Sequence, residues 1–237
     1  MTTGQPVFPA IQVIPVEGLP EVRVGDDLAG LIAEAADLVD GDIVGVTQKV
    51  GSKAEDRLVD IDSEVGNKPL VERESVRILR RRGDLIISET EHGFVCANAG
   101  IDLSNVEAGR AALLPVDSDR SARRIRDALR HRFGVDVAVV VSDTFGRPWR
   151  RGVTDVAIGC AGLRPVIDLR GTSDALGREL QVTDVAIVDE IAAAAELVMG
   201  KAYGIPVAVV RGVDPAWFGD GSVVADVVRP PEEDLFR

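Results

Sequence analysis

The sequence predicts an α+β fold: a mixed sheet with flanking helices, in one compact unit that spans residues 1–237. Apolar runs of strand length are interspersed with segments of helical periodicity, without the strict strand–helix rhythm of a doubly wound sheet. The chain of 237 residues, 46% of them hydrophobic, is long enough to bury a substantial core. Aromatic residues contribute only 4%, so this core must be built from Val, Ile, Leu and Ala.

The first part of the chain predicts alternating strands and helices. Strands are predicted at residues 11–16 and 43–47, which are rich in β-branched residues. Between them, apolar residues recur at helical spacing over residues 28–39. Residues 48–57 are predicted to form a polar loop, and residues 68–82 a highly charged helix with a solvated face.

The second part of the chain continues this mixture. Helical patterns cover the basic segment 122–132 and the alanine-rich segment 189–199. The most apolar strand is predicted at residues 135–141, and a loop at residues 142–151 follows it. The remaining strand candidates are residues 85–88, 93–96 and 207–210.

Bulk properties exclude several classes of function. The formal net charge of −12 repels phosphate backbones, so nucleic-acid binding is not expected as the main function. No signal-peptide pattern or membrane-length apolar run is present, which predicts a soluble, cytoplasmic protein without a membrane partner. Cys96 and Cys160 lie far apart and outside any CxxC pattern, so we expect buried thiols. The excess of carboxylates offers many candidate ligands for hard divalent cations.

A lysine-containing segment follows the second predicted strand. From Gly45 to Lys53 it resembles a phosphate-binding loop in composition, but its glycines are separated by five residues and it ends in Gly-Ser-Lys. It therefore fails the P-loop pattern, and the sequence contains no GxGxxG. Two interpretations remain: a surface loop with solvated lysines, or a loop in which Lys49 or Lys53 contacts phosphates as a point charge.

The segment after the most apolar strand combines metal-ligand and anion-binding chemistry. Residues 142–151 read SDTFGRPWRR, so Asp143 and Thr144 offer oxygen ligands at a strand end, where ligand sites often lie. Arg147 and Arg150 are suited to bind a phosphate or an anionic substrate. The alternative is that Asp143 only caps a turn and that the arginines are solvated.

Two further acidic turns supply candidate ligands. Asp102 and Asn105 lie in a run of small and polar residues, and Asp220 is flanked by glycines. Each segment is typical of an Asx turn when taken alone. Asp102 becomes a credible metal ligand only if the fold brings it to Asp143, which sequence spacing does not show.

In this order, and over nearly the whole chain, the segments resemble the coenzyme F420-0:L-glutamate ligases, also called gamma-glutamyl ligases, of deazaflavin cofactor synthesis. The matching segments are residues 18–22, 41–49, 52–53, 99–105, 142–150, 183–200, 207–212 and 229–237. The resemblance implies an α+β fold that forms an intertwined homodimer. It also implies a single ligase domain, without the C-terminal nitroreductase-like domain of some relatives.

The resemblance further implies a groove for GTP and a divalent metal. The residues that would contact the nucleotide are Leu19, Pro20, Glu21, Val22, Gln48, Lys53 and Asn105. The residues that would hold the metal are Asp102, Asp143, Thr144 and Asp220, of which Asp220 is also a candidate nucleotide contact. Gln48 departs from the family pattern, since relatives often carry serine at this position.

The reaction implied by the resemblance is GTP-dependent addition of L-glutamate to coenzyme F420-0, and of further gamma-linked glutamate to F420-1. It would pass through an acyl phosphate and release GDP and phosphate. Asp143 and Lys53 would be catalytic, with Mg²⁺ or Mn²⁺ bound and K⁺ as a further candidate cofactor. Two alternatives stay open: a metal-dependent nucleotide phosphotransferase or hydrolase, and a non-catalytic metal- or cofactor-binding subunit.

Overall fold

The chain folds into short strands and six α-helices over the part that the computed structural model describes, residues 10–62, 64 and 66–235. The strands are β1 Gln12–Pro15, β2 Ile43–Thr47, β3 Leu58–Asp60, β4 Ser75–Arg82, β5 Leu85–Thr90, β6 Val95–Ala97, β7 Arg110–Ala112, β8 Ala138–Gly146, β9 Val153–Ala161, β10 Ile167–Asp168, β11 Asp184–Val185 and β12 Val207–Arg211. The α-helices are α1 Leu28–Ala35, α2 Gln48–Ala54, α3 Lys68–Arg73, α4 Ser118–Ala128, α5 Ile187–Met199 and α6 Val223–Asp226.

A five-stranded mixed sheet in the order β1-β12-β2-β8-β9 forms the centre of the fold. β2 and β8 run parallel, whereas the other neighbouring pairs are antiparallel. β2 and the first half of β8 are buried, which explains why their sequences are continuous apolar runs and do not alternate. The mixed sheet confirms the predicted α+β class.

Helices pack on this sheet at two close approaches that depend on glycine. α5 packs against β1, β9 and β12, and α4 against β8 and β9. A Cβ at Gly45 would lie 3.0 Å from Ala195 Cβ in α5. A Cβ at Gly159 would lie 2.2 Å from the carbonyl carbon of Ser118 in α4, so this position has no room for a side chain. The core between these elements is mainly Val, Ile, Leu and Ala, as the composition predicts.

A smaller layer contains the three-stranded sheet β4-β5-β6 and the pair β3–β7. Its connection after β6 places three successive residues, Asn98, Ala99 and Gly100, in the left-handed region, with φ of 50°, 54° and 69°. Tertiary contacts hold this unfavourable turn: Asn98 Oδ1 accepts a hydrogen bond from the Ile86 N–H at 3.0 Å. The turn leads the chain directly into Asp102.

The prediction of a loop at residues 48–57 is wrong, because α2 occupies the first part of this segment. The polar side chains of this helix are buried: Gln48 is 1% exposed and Ser52 is 0% exposed. The Ser52 hydroxyl donates a hydrogen bond to Gln48 Oε1 at 2.7 Å. A helix is predicted from sequence by apolar residues that recur at helical spacing. This pattern is absent when the buried side of the helix includes polar residues.

Two other predictions are wrong in part. The helix predicted at residues 68–82 ends at Arg73, and β4 occupies the remainder as an edge strand with exposed arginines. Charge on a solvated edge strand is easily mistaken for the polar face of a helix. The loop predicted at residues 142–151 begins as strand, because β8 continues to Gly146 by pairing with β9.

Other elements are confirmed. β2 has the predicted bounds, and β1 and β12 agree with their predictions to within one residue at each end. The helical segment 189–199 lies within α5, which is followed by Gly200. Over the described ranges, no helix is long and apolar enough to cross a membrane.

Candidate functional site

A cleft of about 450 Å³ lies beside the carboxyl ends of the parallel strands β2 and β8. Ligands commonly bind outside the carboxyl ends of parallel strands. The cleft lining comes from seven stretches of the chain, at residues 19–22, 47–53, 102–105, 142–144, 153–155, 196–201 and 204–206. The fold therefore gathers polar residues from sequence-distant loops around one strand edge.

Asp102 is held on one side of the cleft by Lys49 and Ser104. Lys49 Nζ lies 2.8 Å from Asp102 Oδ2. The backbone N–H and the hydroxyl of Ser104 donate hydrogen bonds to Asp102 Oδ1 at 2.7 and 2.8 Å. Burial by itself would raise the pKa of Asp102, but these partners outweigh it and hold the pKa below its ordinary value. Asp102 therefore presents an anionic carboxylate to the cleft at neutral pH.

Asp143 has the opposite electrostatic environment. Burial raises its pKa to about 7, although a hydrogen bond from the Thr144 backbone N–H acts in the other direction. The negative charges of Asp102 and Asp155 raise this pKa further, and the positive charge of Lys201 lowers it. A carboxylate crowded by two others is suited to take up a cation, because a bound cation would relieve the repulsion.

On the β8–β9 wall of the cleft, Asp155 is neutralised by Lys201. The Asp155 side chain is 1% exposed, and it accepts hydrogen bonds from the hydroxyls of Ser142 at 2.8 Å and Thr144 at 2.6 Å. Lys201 Nζ lies 2.9 Å from Asp155 Oδ1 and 3.1 Å from Glu196 Oε1, and it also donates to Thr144 Oγ1. Burial lowers the pKa of Lys201, but the two carboxylates more than compensate and raise it. This wall thus carries an ammonium that contacts three oxygen atoms, on a side chain that is 55% exposed.

On the opposite wall, Lys53 and Gln48 offer hydrogen-bond donors to a ligand. Lys53 forms a salt bridge with Glu21, and their side chains are 10% and 74% exposed, respectively. Because Glu21 is largely exposed, an anionic ligand can replace it as the partner of the buried Lys53. Gln48 uses its Oε1 to bind Ser52, whereas its Nε2 has no hydrogen-bond partner among the described residues. An unpaired buried amide donor is unfavourable until a partner arrives.

A divalent cation fits this donor set when it arrives with a ligand. Within the described part of the chain, no three or more His, Cys, Asp or Glu side chains form a group that could hold a metal ion. The cleft nevertheless offers two carboxylates, Asp102 and Asp143, and the hydroxyl of Thr144. Mg²⁺ usually binds through one or two carboxylates, with water and substrate phosphates at its other positions. The residues therefore fit a metal shared with a phosphate, and not a closed protein cage.

Sequence comparison assigns the chain that forms this cleft to a known family. The sequence profile named F420-0:Gamma-glutamyl ligase matches residues 18–212, most of the chain. The chain belongs to the F420-0:gamma-glutamyl ligase family. It is accordingly a ligase.

Three curated relatives of this ligase family, each called coenzyme F420:L-glutamate ligase, match over nearly their full length. The protein from Methanothermobacter thermautotrophicus is 45% identical over 96% of this chain and 99% of the relative. The one from Methanopyrus kandleri is 43% identical over 97% and 99%. The one from Haloarcula marismortui is 41% identical over 96% of each chain.

The cleft gathers nearly all the residues that the family resemblance predicts for the site. Those that line it are Leu19, Pro20, Glu21, Val22, Gln48, Lys53, Asp102, Asn105, Asp143 and Thr144. Asp220 is not among the lining residues; it is exposed, two positions before Ser222, the residue that caps α6. Arg147 and Arg150 are also exposed, beyond β8 and outside the cleft lining. The roles predicted for these three residues stay predictions.

Sequence reasoning missed three charged residues that line the cleft: Asp155, Glu196 and Lys201. Asp155 lies in β9, a strand that was not predicted, and the available signal was a lone acid within an apolar run. A buried carboxylate requires partners, so such an acid points to a polar cluster. Lys201 directly follows the glycine after α5, and only the packing of α5 on the sheet brings it to Asp155.

Proposed function

We propose that this family member joins L-glutamate to a carboxylate of coenzyme F420-0, with GTP as phosphoryl donor and GDP and phosphate as products. The observation that carries the proposal is the convergence of Lys53, Asp102 and Asp143 on one cleft in a chain of this ligase family. The curated relatives bear the name of a glutamate ligase acting on coenzyme F420. A second round through the gamma-carboxylate would extend F420-1 in the same cleft.

The wall formed by residues 19–22 and α2 is proposed to bind GTP. Lys53 would exchange the exposed carboxylate of Glu21 for a phosphate oxygen, a charge-assisted contact of the stronger kind. Gln48 would donate its unpaired Nε2 hydrogen atoms to a nucleotide oxygen. Asn105, which lines the same cleft, would supply a further amide contact.

Asp102, Asp143 and Thr144 are proposed to hold Mg²⁺ or Mn²⁺. The bound ion would neutralise phosphate charge and align the transferred group. Lys49 would release Asp102 Oδ2, which it now holds at 2.8 Å, and become available to a phosphate. K⁺ is a further candidate cofactor of the proposed reaction, without an assigned ligand.

The proposed chemistry has two steps. First, a carboxylate oxygen of F420-0 attacks the γ-phosphorus of GTP, and the bond to the β-phosphate oxygen breaks to release GDP. Second, the amino nitrogen of L-glutamate attacks the acyl carbon, the bond to the phosphate oxygen breaks, and the nitrogen loses a proton. Lys53 would stabilise the negative charge that develops on the phosphate oxygens in the first step.

We also propose that the chain works as an intertwined homodimer. Leu176 and Val182, in the segment between β10 and β11, are 86% and 88% exposed to solvent. Trp149, in the turn after β8, is 83% exposed. Contiguous exposed apolar patches mark protein–protein interfaces, and these three side chains are the ones that we expect the interface of the proposed homodimer to cover. Sedimentation-velocity analysis tests this point, and a single species of monomer mass at micromolar concentration would contradict it.

Mass spectrometry of the deazaflavin product tests the ligase proposal. F420-0 is incubated with the protein, GTP, Mn²⁺ and L-glutamate. We expect mass gains of whole glutamate residues, with one GDP formed for each. Omission of GTP or of glutamate should prevent the gain.

Asp143→Asn is the matched variant for this experiment, because it keeps the shape of the side chain and removes the anionic ligand. We expect a folded protein without turnover. GDP formation that is independent of glutamate, without a heavier cofactor, would favour the phosphotransferase or hydrolase instead. Nucleotide binding with no turnover would favour the binding subunit.

A further inference from the structure

A turn with three arginines extends from the mouth of the cleft. The ladder between β8 and β9 ends at the pair Gly146–Val153. Thr144 and Val153 line the cleft, so the connection between the two strands, residues 147–152, begins where the cleft wall ends. We call this connection the arginine turn, after its residues Arg147, Arg150 and Arg151. All three arginines are exposed, and none forms a salt bridge with a described residue.

The cleft itself offers no free cation to an additional carboxylate. Its charged lining residues are five acids and three lysines: Glu21, Asp102, Asp143, Asp155, Glu196, Lys49, Lys53 and Lys201. Each lysine already forms a salt bridge with one of these carboxylates. In the proposed reaction, Lys49 and Lys53 are moreover assigned to phosphates. No arginine is among the described lining residues, although the planar guanidinium binds a carboxylate through two parallel hydrogen bonds, which an ammonium does not.

The two acceptors of the proposed function differ by one carboxylate near the reacting end. A gamma-linked glutamate reacts through its γ-carboxylate and keeps its α-carboxylate. F420-1 therefore brings one more anion to the cleft than F420-0 does, close to the group that is phosphorylated. This anion needs a cation outside the reacting centre, and the arginine turn carries free cations at the mouth of the cleft.

We propose that the arginine turn binds the α-carboxylate of the gamma-linked glutamate tail and thereby strengthens the binding of F420-1 relative to F420-0. The inference rests on the proposed function, since it names a subsite for the second acceptor of that reaction. The formal net charge of −12 means that most of the protein surface repels an anionic tail, so the turn concentrates the attraction at the cleft. Its arginines position the acceptor and take no part in the bond-forming steps.

Separate kinetics for the two acceptors test the inference. kcat and KM are measured by mass spectrometry for F420-0 and for F420-1, each with saturating GTP, Mn²⁺ and L-glutamate. The test variant replaces all three arginines: Arg147→Gln, Arg150→Gln and Arg151→Gln. We expect the kcat/KM for F420-1, divided by that for F420-0, to fall about tenfold, because a charge-assisted contact is lost. The change should lie in the KM for F420-1 and not in kcat.

A matched control and a conservative variant accompany this measurement. The control replaces three other arginines: Arg80→Gln, Arg82→Gln and Arg120→Gln. These are likewise exposed, form no salt bridge with a described residue and lie outside the cleft lining. The control should keep the wild-type ratio. Lysine in place of the three arginines of the turn keeps the charge and should restore part of the preference for F420-1.

Several results would overturn the inference. An equal loss with both acceptors would place the arginines at the phosphoryl group or the incoming glutamate, which both rounds share. An unchanged ratio in a test variant that circular dichroism shows to be folded removes the tail contact. A changed mass in sedimentation velocity would assign the arginines to a subunit interface around Trp149. If the test variant does not fold, Arg151→Gln alone decides by the same ratio.

The wild-type chain separates failure of the inference from failure of the proposed function. A chain that extends F420-0 but not F420-1 overturns the inference and leaves the ligase proposal intact. A chain that extends neither acceptor refutes the proposed function, and the inference with it.

Discussion

Replacing Asp143 with asparagine should make the protein more stable while it abolishes turnover. Burial, together with the charges of Asp102 and Asp155, raises the pKa of Asp143 from 3.8 to about 7. A raised pKa means that between these two values the unfolded chain binds fewer protons than the fold does. Ionisation of Asp143 therefore lowers the stability of the fold progressively as the pH rises from about 4 to about 7.

The size of this effect follows from the two pKa values of Asp143. Each pH unit between 3.8 and 7 lowers the free energy of unfolding by about 1.4 kcal/mol. The loss amounts to about 2 kcal/mol at pH 5 and about 4 kcal/mol at pH 8. Asparagine has nearly the same shape and no charge. We therefore expect Asp143→Asn to stabilise the fold by up to about 4 kcal/mol at pH 8, and by about half as much at pH 5.

Urea unfolding at pH 5 and pH 8, followed by circular dichroism with a chelator present, measures this difference. Asp168→Asn is the control, because the Asp168 carboxyl is exposed and Arg170 lowers its pKa. The control should show no stabilisation that grows with pH. An Asp143→Asn variant that is less stable than the wild type at pH 8 would refute the reasoning, as would an equal gain at both pH values. Added Mn²⁺ should stabilise only the wild type of these two proteins.

Three further substitutions test other parts of the cleft and the fold. Lys53→Met should weaken GTP binding at least about tenfold by isothermal titration calorimetry, since a charged hydrogen bond to phosphate contributes roughly 1.5–3 kcal/mol; unchanged affinity would remove Lys53 from the site. Gln48→Met should keep the free energy of unfolding within about 1 kcal/mol, because the Ser52 hydroxyl that Gln48 Oε1 accepts from can donate to the Leu113 carbonyl at 2.6 Å instead, and because Gln48 Nε2 has no hydrogen-bond partner in the described part of the chain. The same substitution should weaken GTP binding. An unaltered GTP affinity would contradict that contact. Gly159→Ala should destabilise by roughly 1–3 kcal/mol or more in thermal unfolding, since its Cβ would lie 2.2 Å from the Ser118 carbonyl carbon. Gly146→Ala, where a Cβ meets nothing within 4 Å, is its control, and equal losses in both would contradict the steric argument.

The sequence predicts the elements whose environment is uniform along their length. β2 is buried at four of its five residues, so its apolar run alone predicts it with the correct bounds. α2 and β4 are different, because tertiary context decides them. The buried side of α2 includes polar residues, and β4 exposes arginines on a sheet edge, so neither shows the periodicity of its own secondary structure.

The site residues divide in the same way. Residues such as Lys53, Asp102 and Asp143 could be named because their segments together resemble a ligase family, and the cleft brings these three side chains to one place. Asp155 and Lys201 could not, since their relation is a long-range ion pair that no local pattern encodes. Sequence spacing likewise does not encode that Asp143 is crowded by two other acids.

The two walls of the cleft differ in how firmly the fold holds their charged residues, and this difference decides which of them can respond to a ligand. Asp143 and Asp155 lie on the paired strands β8 and β9, and Lys201 bridges from the end of α5 to the buried carboxylate. Although the Lys201 side chain is 55% exposed, its partner Asp155 is 1% exposed. In the pairs of Lys49 and Lys53, by contrast, the carboxylates are 29% and 74% exposed. Exchange of these pairs for phosphate contacts costs little, because water already competes for the exposed groups. We therefore expect the proposed nucleotide and metal to reorganise the α2 side of the cleft, while the β8–β9 wall keeps its geometry and sets the position of the phosphoryl group in the proposed reaction.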